Sequence, residues 1–129
     1  MMKVTTKFIF AALLLAAVLF PVSDCWPGLG DYAARSYNTN YLAATDGFVV
    51  ASAYINPGNH SRFTLDMQGY TDSSNPPSTL RAQSGYIWAA YAGSYTAGFT
   101  MPVKSGNWWR VAYTGKYSTL KLFWVPLTP

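Results

Sequence analysis

The stretch Arg62-Phe63-Thr64-Leu65-Asp66-Met67-Gln68-Gly69-Tyr70 (RFTLDMQGY) sets the fold class. Phe63, Leu65 and Met67 alternate with Arg62, Thr64, Asp66 and Gln68. Successive strand side chains point to opposite faces, so this period of two makes one face apolar and the other polar. That is a half-buried antiparallel strand. Upstream, Phe48–Ile55 (FVVASAYI) reads as a second strand, joined to the first through the turn-forming run Asn56-Pro57-Gly58-Asn59. Downstream, the polar loop Asp72-Ser73-Ser74-Asn75-Pro76-Pro77 ends the strand. Leu80–Tyr91 reads as a strand with a bend or bulge at Gly85. Tyr95–Val103 follows, with Pro102 marking an edge or an end. Ser105-Gly106-Asn107 turns the chain into Trp108–Tyr113, and Thr114-Gly115-Lys116 turns it again into Leu120–Val125. Six such strands at regular spacing predict an all-β domain, an antiparallel β-sandwich of jelly-roll-like form. No stretch after residue 25 has a helical period, and no internal repeat is visible.

Composition agrees. One domain is expected at 129 residues. Apolar residues make up 50%, aromatics 17% and charged residues only 11%, so the chain is not of the disordered class. The acids are Asp24, Asp31, Asp46, Asp66 and Asp72, with no Glu anywhere. A chain without Glu but rich in Tyr, Thr, Val and Trp leans toward strands. The net charge is +4, and Lys3 and Lys7 supply two of the positive charges. Lys104, Arg110, Lys116 and Lys121 are too loosely grouped to form a nucleic-acid stripe.

Residues 1–25 read as a secretory signal peptide. Lys3 and Lys7 precede the unbroken apolar run Phe8–Phe20 (FIFAALLLAAVLF), and Pro21 with small and polar residues follows it. The run of about 13 residues is shorter than the roughly 20 that span a bilayer. The alternative is a short membrane anchor that stays attached. Cleavage after Cys25 would remove the only cysteine. Lipidation of Cys25 as a new N-terminus is a second outcome, although Asp24 stands where Gly, Ala or Ser is usual. Membrane contact is expected only through an uncleaved signal or that lipid. No internal disulfide can form with one cysteine. An exported domain, whether extracellular, on the cell surface or periplasmic, must then hold itself by its core or its neighbours. Residues 26–44, beginning WPGLGDYAARSYNTN, read as an extended arm that packs on a neighbour; residues 45–129 are the sandwich.

A catalytic set is not expected. His60 is the only histidine, it sits in a turn, and no serine has the G-x-S-x-G context. One His and no retained Cys leave at most a weak oxygen site at Asp72 with loop carbonyls. Asp46, Asp66 and Asp72 are the only realistic carboxylates for glycoside chemistry, and Asp66 lies on a polar strand face. No cofactor and no metal are expected. The sequon Asn59-His60-Ser61 matters only in a host that glycosylates it.

The aromatic residues carry the binding expectation. Alternation places Trp109, Val111 and Tyr113 on one face of their strand and Trp108, Arg110 and Ala112 on the other. The ordinary reading makes Trp109 core and Trp108 a half-covered residue stacked by Arg110. The sharper one makes Trp108, Arg110, Tyr70 and Asp72 a recognition surface. Exposed Trp and Tyr mark subunit interfaces and sugar sites alike. Without disulfides, an interface is the favoured use, in a trimer or a filament, with a surface glycan as the alternative partner.

The runs Thr45–Ala51, Gly69–Pro77 with Arg81-Ala82, Met101–Val111 (MPVKSGNWWRV) and Phe123–Leu127 (FWVPL) resemble small β-sandwich domains at the ends of phage tail fibres and related surface proteins. The resemblance covers residues 45–127 and its motifs are structural rather than catalytic. It implies a sandwich, often trimeric, that assembles or recognises a surface. The signal segment favours a secreted or cell-surface protein using the same module.

Overall fold

The computed structural model describes residues 28–56, 63–85, 87–89, 93–116 and 119–129. The signal segment, Cys25, His60 and most of the Asn56–Asn59 turn lie outside these residues. The described strands, in chain order, are β1 (Gly28–Leu29), β2 (Ala33–Ala34), β3 (Tyr41–Leu42), β4 (Gly47–Ile55), β5 (Phe63–Asp72), β6 (Leu80–Gln83), β7 (Ile87–Ala89), β8 (Tyr95–Val103), β9 (Trp108–Gly115) and β10 (Thr119–Thr128). No helix occurs among the described residues.

Two antiparallel sheets pack face to face as a β-sandwich. The first runs β10-β4-β8, with β1 and β2 both lying along the free side of β10. The second runs β3-β9-β5, with β6 and β7 both lying along the far side of β5. The expected strand over 80–91 is therefore two short pieces, separated at Gly85, whose φ of 77° bends the chain. Pro102 does fall on an edge strand, because β8 ends the first sheet.

The alternation that predicted β5 is realised: Leu65 and Met67 are both 0% exposed. Facing them are Val49, Ala51, Ala53 and Ile55 of β4, Met101 and Val103 of β8, and Leu122 and Trp124 of β10. Each large apolar side chain so buried stabilises by about 1.5–3 kcal/mol. Gly69 also faces inward. A Cβ there would lie 2.9 Å from both Met101 Sδ and Phe99 Cε2, so only glycine lets the sheets approach this closely.

The segment expected to reach for a neighbour is seated on its own domain. Gly30 N–H donates to Pro126 O and Arg35 N–H to Leu122 O, both at 2.8 Å, which binds it to β10. It then crosses to the other layer, where Asn38 N–H donates to Val111 O at 2.8 Å and Ala43 N–H to Asn107 O at 2.9 Å. Tyr41 stacks on Trp109 with centroids 4.7 Å apart, and Trp109 stacks on Trp124 at 5.6 Å. Arg35 covers the outer side of Tyr41, its Cζ 5.5 Å from the ring centre. One column of rings thus ties the arm to both sheets.

Candidate functional site

The second sheet turns β5 and β9 outward with their even-numbered residues. The four expected binding residues come together there as two directly opposed pairs, Tyr70 with Arg110 and Asp72 with Trp108. Arg110 does not stack on Trp108. Its guanidinium lies over the Tyr70 ring, with Cζ 5.1 Å from the centroid, because Tyr70 is its cross-strand neighbour. Trp109 is core as expected, at 1% exposure, and Trp108 is half-buried beside exposed Leu42.

Several polar residues of this face are bonded to one another, while Arg110 Nε is buried with no hydrogen-bond partner among the described residues. Tyr70 Oη donates to Gln68 Oε1, Gln68 Nε2 donates to Asp66 Oδ2 at 2.9 Å, and Gln83 Nε2 donates to Asp66 Oδ1 at 2.9 Å. Asp72 is likewise engaged. Its Oδ1 accepts from Ser74 N at 2.7 Å, and its Oδ2 accepts from Ser78 N and Thr79 N, both at 2.8 Å. The Ser78 amide, followed by those of Ser74 and Thr79, holds the carboxyl well below the usual carboxylate range. Asp72 is the anchor of the 73–79 loop, not a group left open to a ligand.

Around the corner from this face, one end of the sandwich opens into a cleft of about 850 Å³. The ends of β5, β8 and β10, Arg81 of β6 and the β8–β9 turn form its walls. The turn is shaped by Gly106 at φ 82°, with Asn107 N–H donating to Lys104 O at 3.1 Å. Asp46 sits in the wall, and its Oδ1 accepts from Ser105 N at 2.7 Å. Arg81 and Lys104 are exposed in the cleft, and neither side chain has a hydrogen-bonding or ion-pair partner among the described residues. Thr71 lines it too, 6% exposed, with a buried Oγ1 that has no hydrogen-bond partner among the described residues. Thr71, Arg81 and Asn107 were not among the expected site residues. The signal for Thr71 was the same alternation that put Leu65, Met67 and Gly69 inside.

Two further surfaces stand out. β8 pairs with β4 alone among the described strands, and none of Tyr95–Val103 is charged. On the outer side of the first sheet, Leu29, Tyr32, Phe48, Val50 and Val125 border an apolar hollow of about 330 Å³. Leu29 and Tyr32 are 64% and 60% exposed there. Among the described residues, no three His, Cys, Asp or Glu side chains gather as metal ligands. No protein family, curated protein or solved structure matches this chain.

Proposed function

We propose that this is an exported, non-enzymatic assembly protein whose sandwich joins a second copy of itself through β8, as the unit of a surface oligomer or filament. The observation that carries the reading is the second side of β8, which pairs with no strand among the described residues. An edge strand presents unpaired N–H and C=O groups to any other strand, and soluble proteins usually blunt such edges with charge, proline or a bulge. Here nine residues, Tyr95–Val103, carry no charge, and the one proline lies near the end. Two β8 edges meeting antiparallel about a two-fold axis would continue the first sheet from one copy into the next. The apolar hollow beside Leu29 and Tyr32 supports further contacts of the same kind. Export is supported by the apolar run Phe8–Phe20 behind Lys3 and Lys7. The motif likeness to tail-fibre end domains belongs to the same proposal.

Light scattering of the full chain over a range of concentrations tests it. Mass is expected to rise with concentration, and the double substitution Thr96→Lys, Thr100→Lys is expected to hold the chain as a monomer with its Tm unchanged. A wild-type chain that is monomeric at every concentration rules the proposal out.

A further inference from the structure

We propose that the cleft at the end of the sandwich binds an acidic saccharide, with Arg81 and Lys104 taking its carboxylate and Thr71 and Asn107 its hydroxyl groups. The inference is independent of the β8 edge. Three observations lead to it.

Both cations are left over. Among the described residues the side chains of Arg81 and Lys104 have no hydrogen-bonding or ion-pair partner, although they share the cleft with two aspartates. The aspartates are turned to backbone amides instead, Asp72 through both oxygens and Asp46 through Oδ1. Those amides hold the two carboxylates against the wall, and leave the guanidinium and the ammonium as the groups free to form new bonds with an anion. A guanidinium and an ammonium together favour a carboxylate, which forms short charge-assisted bonds with each.

A hydroxyl is buried without a partner. Leaving such a group unsatisfied costs stability, and native structures rarely do so. Thr71 lines the cleft, while its Oγ1 is buried and has no hydrogen-bond partner among the described residues. A hydroxyl is both a donor and an acceptor, and a saccharide hydroxyl in the cleft would give Thr71 the partner it lacks. The Asn107 side chain, also in the wall, has no partner among the described residues and offers the same pair of functions.

The walls suit a sugar ring. Pro102, Val103 and Leu127 contribute apolar surface beside the polar groups. A saccharide presents C–H faces and hydroxyl edges together, and a few placed polar groups in an apolar wall are how such ligands are oriented. A cleft of about 850 Å³ has room for more than one ring. A simple anion would use the cations and leave the hydroxyl and the apolar wall without a role.

Calorimetric titration of the full chain with tetragalacturonate, with the neutral galactotetraose and with inorganic phosphate tests this. The acidic tetramer is expected to bind at least about ten-fold more tightly than either of the others. Arg81→Ala with Lys104→Ala, both at exposed positions, should weaken it by about ten-fold or more with Tm unchanged. Thr71→Val should weaken binding and raise Tm, because it removes the unsatisfied hydroxyl at constant shape. The proposal is overturned by equal binding of the neutral tetramer, by phosphate binding as tightly as the saccharide, or by an unaffected double variant. Absence of any binding, or a lower Tm for Thr71→Val, overturns it as well.

Discussion

Trp109 lies between Tyr41 and Trp124, with its indole in contact with a ring from each layer. Removing it empties a space that spans both sheets. Trp109→Ala is expected to cost about 3–5 kcal/mol in chemical denaturation, whereas Trp108→Ala, on the half-buried outer face, should cost roughly 1 kcal/mol or less. The contrast between these two neighbours was legible, since alternation alone separates their faces. The ring that Arg110 covers was not, because a cross-strand partner depends on the register between β5 and β9. Tyr37 is a second residue with a measurable consequence. Its hydroxyl is within 3.0 Å of Lys121 O and 3.3 Å of Ser52 O, and its ring packs edge-on against Tyr113. Burial pushes its pKa up from 10.0 to about 12, with the Ser52 contact opposing the shift. The folded chain therefore holds the phenol proton more tightly than the unfolded chain. Its contribution is complete below pH 10 and is lost as pH rises toward 12. Melting followed over that range should show a decline in Tm that is shallower in Tyr37→Phe.

Among the elements, the last residue of β9 is the least tolerant of a side chain. Gly115 has φ 109°, and a Cβ there would stand 1.7 Å from Thr64 O. Neither β5 nor β9 can retreat without giving up paired neighbours, so Gly115→Ala is expected to destabilise by on the order of 3 kcal/mol. Thermal denaturation would read this directly. The long strands were legible because each carries enough residues for a period of two to show. β1, β2 and β3 were not, since two residues have no period. Their pairing is decided by β10 and β9, which lie far along the chain. The arm's Gly, Asn and Tyr content has no clean period, and only its backbone bonds to both sheets show where it lies on its own domain.

At the scale of the whole molecule, the two-layer sandwich followed from alternation, turn chemistry and the absence of any helical period. The outer patch of Tyr70 and Arg110 followed in part. The cleft did not, because it is assembled from residues near 46, 71–73, 81, 102–107 and 127, which no local pattern connects. One pairing in this layout has a mechanical consequence. Gly28 lies opposite Thr128, and Leu29 opposite Leu127, in antiparallel register. Tension applied through the chain on either side of the domain would pull β1 away from β10 like a zipper, breaking one rung at a time at low force. A load entering along β8 would instead have to shear the nine residue pairs it shares with β4 at once. The same fold is thus weak when pulled by its ends and strong when pulled through its edge, and an assembly that bears load would transmit it from edge to edge.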